Sequence, residues 1–472
     1  MRNYAETRKK ISQIVPGMRP LFKQSLKIGA VKEKGRKRNY SQYNLLNEKW
    51  VKQERLLNAE EINSFLEISN RAAACPMPFN ADVWDGLLCP FGCIYCFANA
   101  FRASLYTAFF DNSKTMGMRH CNPDYYKREM EKLQPLRGKD PHSLPQGVRK
   151  AFGMEIPLRF GIRFEDFLNN ERKEGISLEL LNYLKETAYP VMINTKASLV
   201  GEDAYVRALS ENPAKAAVHI TLLTPNDEVN KRLEPGAPSY EKRIEAAKNL
   251  ASAGVRVVMR IEPFLYLLND KKEDMRKYME DIKKAGVHNI TFDTYSYTAH
   301  NPGIRQSFIN NGYDFDRMFI AGCDSQKLGS ILLRDFIQEF RKEGFSCSTF
   351  DMGNVPGNNQ DICCEVTDLF KEGSWNYGCT VMAARYIVKQ KGKPVTWAEF
   401  RDWVNEKGGF LSDTLEREVH ELWNIEGNSA YSVAWAQGLT SVGWDENGIV
   451  WAYLPEIDER QEMLDLISEG GK

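Results

Sequence analysis

The chain has 472 residues, 43% of them hydrophobic, and its 63 Lys and Arg balance 63 Asp and Glu. That length predicts two or three domains with a substantial core, and the zero net charge excludes a whole-molecule bias toward polyanions. Ten cysteines without a signal peptide predict cytoplasmic thiols, and no apolar run approaches the ~18 residues of a membrane span.

In chain order, residues 1–40 carry twelve Lys or Arg against two Glu, including the run Lys32–Arg38. This is either an arm for nucleic acid or a solvated extension packed through Ile14, Val15, Leu21 and Phe22. Leu56, Leu57, Ile62, Phe65 and Leu66 recur at helical spacing and predict one helix over 51–74. Residues 1–79 are read as an N-terminal extension.

From residue 80 strands and helices alternate. Strands are predicted at 80–88, 157–162, 190–195, 216–223, 255–262 and 289–295, with a seventh short one at 345–350. The helices between them are predicted at 97–110, 177–187, 202–210, 240–253, 271–285 and 325–343. A long insertion, 111–155, contains a further helix at 124–133. Repeated β-then-α units with near-continuous apolar strands imply parallel pairing and right-handed crossovers. The fold class is α/β, a partial (β/α)6 barrel over 80–354, with ligands expected at the C-terminal strand ends. Residues 355–472 read as an α+β appendage that could cover the site. It has helices at 375–390, 396–407 and 412–423 and a hairpin at 441–454.

The stretch Cys89-Pro-Phe-Gly-Cys93-Ile-Tyr-Cys96 places three thiols in one loop at spacing C-x₃-C-x₂-C. Cysteine thiolates hold iron–sulfur clusters, and a [4Fe–4S] cube takes four ligands, so three would leave one iron open to a small molecule. Zinc is the alternative, but zinc ribbons use two C-x₂-C pairs or a pair with His. Here Cys363 and Cys364 are adjacent and Cys379 stands apart.

The three-plus-one cysteine pattern resembles the radical S-adenosylmethionine (SAM) superfamily. The resemblance implies a [4Fe–4S] cluster on Cys89, Cys93 and Cys96, SAM on the open iron, and Tyr95 near the adenine. It also implies that the loop after the second strand, Phe160–Asp166, holds the SAM amino group. Gly161 is present there, but Ile162 follows it, so the acid is either Glu165 or Asp166. Lys196, ending the third strand, is placed to pair the SAM carboxylate as a compact charge, and Ser198 to reach the ribose.

The series Thr195-Lys-x-Ser198, Leu233-Glu-Pro-Gly-Ala-Pro238, Arg243, Ala253-Gly-Val255 and Arg260-Ile-x-Pro263 resembles the spore photoproduct lyase branch of that superfamily. The similarity covers residues 80–300. It implies that Lys196, Thr221 and Arg260 lie around SAM. In that branch a hydrogen-donating cysteine lies some forty residues past the cluster motif. Here Cys121 stands 25 residues past Cys96 and is either a relay or a buried thiol. Tyr295 and Tyr297 are further relay candidates. Glu262, Asp293 and Asp351 are candidates to hold substrate, suited to a guanine-like edge, or, for the two Asp, to cap turns.

The implied activity is a lyase that breaks a carbon–nitrogen or carbon–carbon bond through a 5′-deoxyadenosyl radical. Its expected substrate is a small modified nucleobase, with queuine, salvaged to a 7-deazaguanine precursor, as the first expectation. Repair of a DNA or RNA lesion is the alternative. Its expected partner is an electron donor such as flavodoxin or ferredoxin.

Overall fold

Val191-Met-Ile-Asn-Thr195 and Ala216-Ala-Val-His-Ile-Thr221 are buried along their whole length, as strands covered on both faces must be. The computed structural model describes residues 60–62, 67–68, 77, 79–81, 83–85, 89–96, 119–145, 147–162, 164–265, 268–269, 271–294, 302–315, 326–349, 363–370, 386–388, 390–392, 395–409, 439–445 and 448–453.

In chain order the strands are β1 (Glu60–Ile62), β2 (Glu67–Ile68), β3 (Phe79–Ala81), β4 (Trp84–Asp85), β5 (Arg119–Cys121), β6 (Leu158–Phe160), β7 (Val191–Thr195), β8 (Ala216–Thr221), β9 (Arg256–Phe264), β10 (Asn289–Thr294), β11 (Ser346–Thr349), β12 (Leu439–Asp445) and β13 (Gly448–Tyr453). The main sheet runs β11-β10-β9-β8-β7-β6-β3-β2. β2 joins β3 antiparallel, and the other pairs are parallel. This is the expected α/β architecture, a seven-stranded parallel sheet of partial-barrel type. Helices Ile176–Glu186, Asp203–Ser210, Tyr240–Ser252, Lys272–Lys284 and Gln326–Lys342 fall in the crossovers, close to the bounds that periodicity predicts. Helix Trp397–Glu406 opens on a Thr396/Glu399 capping box, and β12 and β13 form the expected hairpin.

Two expectations are corrected. The helix expected over 51–74 is interrupted by β1 and β2. β1 pairs parallel with β5, and β2 extends the main sheet. Unpaired N–H and C=O groups at a sheet edge outweigh the weak preference of a short apolar run for helix. The strand expected over 80–88 splits into β3 and β4, which join different sheets. Just past β3, the Val83 and Trp84 N–H groups donate to Asp166 Oδ1 at 3.1 and 2.9 Å. A carboxylate thus replaces the neighbouring strand as acceptor.

The sheet has an apolar and a polar face. Phe292 packs its ring against Phe336 and Phe340 of helix Gln326–Lys342, with centroids 5.8 and 5.3 Å apart. By the two-residue alternation of strands, Thr291 and Asp293 of β10 face the other way, into the barrel. Register extends that row across the sheet, pairing Thr221 with Arg260, Arg260 with Thr291, and Thr291 with Ser348.

Residues 363–370, placed with the appendage by the sequence reading, lie against this inward face. Buried Glu365 accepts from Asn289 Nδ2 at 2.9 Å and Ser346 Oγ at 2.5 Å, and from Ser348 Oγ. Its carbonyl takes Arg256 Nη1 at 3.2 Å.

Candidate active site

The cysteine loop is built from tight turns. Gly92 N–H donates to the Cys89 carbonyl at 3.0 Å and Cys96 N–H to that of Cys93 at 3.1 Å, with Gly92 at φ 59°. The loop is then stitched to the segment after β8. Ile94 N–H donates to Leu233 O at 2.9 Å, and Gly236 N–H to Phe91 O at 2.9 Å.

Gly236 allows that approach because it lacks a Cβ. A Cβ there would fall 2.2 Å from Pro90 O and 2.8 Å from Phe91 Cα. Gly236→Ala therefore pushes the cysteine loop off its seat. We expect a loss of about 1–3 kcal/mol in denaturant unfolding, typical of overpacking. Bound iron should also fall when the variant is reconstituted with iron and sulfide.

Beneath the loop lies a buried polar chain. Tyr95 donates its hydroxyl to Glu234 Oε1, and Glu234 Oε2 accepts Arg243 Nη1 at 2.6 Å. The same Nη1 donates to Thr221 O at 2.9 Å. Glu234 and Arg243 are fully buried, so each supplies the countercharge that burial demands. Burial first, and then the Glu234 charge, push the Tyr95 phenol well above its ordinary range. Lys196 Nζ sits 5.6 Å over the Tyr95 ring. Burial works against the Lys196 charge, yet the Cys93, Glu234 and Cys96 charges raise its affinity for the proton overall.

Cys89 and Cys96 are partly exposed, Cys93 is buried, and none of the three is in a disulfide. Burial holds the Cys93 thiol well above its usual range, opposed by Lys196 and reinforced by Glu234, Cys96 and Cys89. A thiolate-bound cluster fits this set, since iron would displace the thiol protons and the Lys196 charge favours the thiolate form of Cys93. Among the described residues no three His, Cys, Asp or Glu side chains gather around a point that could hold a single metal ion.

The second expected ligand group behaves differently. Both Asp166 oxygens accept backbone N–H groups, Val83 and Trp84 on Oδ1 and Gly161 on Oδ2 at 2.7 Å. Glu165 accepts Thr195 Oγ1 at 2.6 Å, Lys196 N–H at 3.0 Å and Phe167 N–H at 3.1 Å. The two acids expected to face SAM therefore fasten the loop after β6 to its neighbouring strands. Gly161, at φ 73°, is seated so closely that a Cβ would fall 2.0 Å from Asn194 O.

Ser198 is half-buried where the chain leaves β7, and Thr221 ends β8 beside Arg260. Arg260 pairs with Glu262, whose other oxygen accepts Thr291 Oγ1 at 2.5 Å. The expected substrate carboxylate Glu262 is thus engaged on both oxygens. Asp293 lies on β10 at the inward face, and its charge reaches Arg260. Cys121 sits buried in β5, its thiol pushed up by burial and then by Asp166 and Glu171. These are not the charges that surround Cys93. Tyr295, Tyr297 and Asp351 lie outside the described residues.

The sequence reading gave no role to Glu234, although the Leu-Glu-Pro-Gly run carried it. It also left out His219 of β8. This ring is buried, hydrogen-bonds the Cys364 main chain, and is held neutral by burial and by Arg260.

Residues 86–282 match the radical SAM superfamily family model. Proteins of that family use a [4Fe–4S] cluster and SAM. Among curated proteins, uncharacterized proteins of Mycobacterium tuberculosis (strain ATCC 25618 / H37Rv) and Mycobacterium bovis are each 21% identical over 222 residues, covering 47% of this chain and 59% of theirs. The chain thus spans about three-fifths of the length of those relatives. A solved spore photoproduct lyase complexed with dinucleoside spore photoproduct is similar at TM-score 0.43 and 15% identity, covering 60% of this chain and 78% of that one. The cobalamin-dependent SAM radical enzyme OxsB is similar at TM-score 0.29 and 11% identity, covering 83% and 54%.

Proposed function

We propose that this radical SAM enzyme is a lyase that fragments a modified base within DNA or RNA. The observation that carries the reading is the joint between the cysteine loop and the Leu233–Gly236 segment, with Lys196, Tyr95, Glu234 and Arg243 packed behind it. The motifs that resemble the spore photoproduct lyase branch meet at this joint. A cluster held by Cys89, Cys93 and Cys96 supplies, when bound, the electron that splits SAM into methionine and a 5′-deoxyadenosyl radical. Lys196 pairs the SAM carboxylate, Ser198 reaches the ribose, and Arg260 and Thr221 flank the site. The protein's own work is to orient SAM against the target hydrogen and to exclude water. A flavodoxin or ferredoxin class protein delivers the electron in the cytoplasm.

A lesion is favoured over free queuine by the state of the acids. A deazaguanine edge asks for open carboxylate acceptors. Glu262 is already held by Arg260 and Thr291. The spore photoproduct lyase structure holds a dinucleoside photoproduct, a ligand of the class proposed here.

Binding of single-stranded and duplex oligonucleotides at rising salt tests the proposal. Contact with several phosphates makes the logarithm of affinity fall linearly with log salt, at a slope of roughly −0.7 to −0.9 per phosphate neutralised. A flat salt response, or no binding at low salt, contradicts it.

A further inference from the structure

We propose that Cys363 and Cys364 form a redox-active thiol pair inside the barrel that gives a hydrogen atom to a carbon-centred radical formed there. The assignment rests on the radical reading above.

The two sulfurs lie 3.9 Å apart, close enough for one thiol to hydrogen-bond the other. Both residues are partly exposed and not joined by a disulfide, whereas Cys121 and Cys347 are buried. The pair is held in place from both sides. The Cys364 main chain bonds the His219 ring, and the next residue, Glu365, is tied to β10 and β11. Cys364 shares its surroundings with Arg159, Arg260 and Glu262.

β8 connects this pair to the cluster end. His219 lies two residues before Thr221, on the same inward row as Arg260. β8 also sits beside β7, which ends at Thr195 next to Lys196, and the Lys196 ammonium lies over the Tyr95 ring of the cysteine loop. Burial pushes the Cys121 and Cys347 thiols up, whereas the Cys363 hydrogen bond, with Arg159 and Arg260, lowers Cys364 against the effect of its burial. An S–H bond is weaker than an alkyl C–H bond, so a carbon radical beside Cys364 takes its hydrogen.

In that step the C–H bond forms and the Cys364 S–H bond breaks, leaving a thiyl radical. Cys363 gives its proton to water and shares the unpaired electron in a sulfur–sulfur half-bond. One electron from a low-potential one-electron reductant, with two protons from water, restores both thiols.

Two measurements test this on the full chain. The first titrates cluster-free protein with phenylarsine oxide, which condenses with two neighbouring thiols and releases water. Peptide mass spectrometry should find the arsenical bridging 363 and 364, and Cys363→Ser and Cys364→Ala should each abolish that bridge. The second follows SAM cleavage by reconstituted enzyme with dithionite in D₂O, without substrate, so that the 5′-deoxyadenosyl radical is the probe. Wild type should give 5′-deoxyadenosine carrying deuterium, and the 5′-deoxyadenosine formed by Cys364→Ala should lack it. Cys363→Ser should keep the deuterium, which also checks that a change in this segment leaves the fold intact. Equal deuterium in wild type and Cys364→Ala, or no bridged peptide, overturns the thiol pair alone. No 5′-deoxyadenosine from any variant overturns the radical reading beneath it.

Discussion

Glu234→Ala should destabilise the chain by about 3–5 kcal/mol, the usual consequence of stripping one partner from a buried ion pair. Arg243 would remain fully buried with only the Thr221 carbonyl on the nitrogen that Glu234 now shares. Tyr95 would lose its acceptor at the same time. The damage should not stay local, because the residues around Glu234 also carry the backbone bonds to Phe91 and Ile94. Urea unfolding of the cluster-free chain measures the first effect, and iron bound after reconstitution measures the second. Glu234→Gln, which retains an acceptor for Arg243, should recover a large share of the stability. If both variants unfold like wild type, the ion pair does not hold the cysteine loop.

Cys93→Ala should abolish SAM cleavage while leaving the cluster-free fold close to wild type. In the proposed site three thiols from one loop form the protein ligand set, so removing one would leave the cube under-ligated. The loss should exceed the roughly 10–100-fold expected when only a supporting contact around a metal centre is removed. Cys121→Ala is the matched control, since that thiol lies among Asp166 and Glu171. It should retain both iron and 5′-deoxyadenosine formation. Equal losses in the two variants would show that the triplet is not special.

The parallel sheet was legible because β7 and β8 are near-continuous apolar runs and the helices between strands keep a 3.6-residue period. The cysteine loop was legible because its spacing is local. The helix expected at 51–74 failed where edge pairing decides, and a short run such as Glu60-Glu-Ile62 reads alike as helix turn or strand. β3 and β4 part because a carboxylate 82 residues away takes the Trp84 N–H, a contact that no window of sequence reveals. Glu165 and Asp166 were correctly placed at a strand end, but whether a carboxylate faces a ligand or backbone N–H groups is decided by three dimensions. Glu234 and Arg243 sit nine residues apart across a turn, outside the helical spacings that signal a pair. The sequence showed Cys363 and Cys364 only as neighbours that make no zinc-ribbon pair, because the fold alone brings the Cys364 main chain to His219.

The central claim is that Cys89, Cys93 and Cys96 hold a [4Fe–4S] cluster that splits SAM. Anaerobic reconstitution with iron and sulfide, followed by metal and sulfide analysis and assay of 5′-deoxyadenosine under dithionite, tests it most directly. The account predicts about four iron and four sulfide per chain, with methionine and 5′-deoxyadenosine formed together. A chain that takes up zinc or stays colourless, and leaves SAM intact, would contradict it.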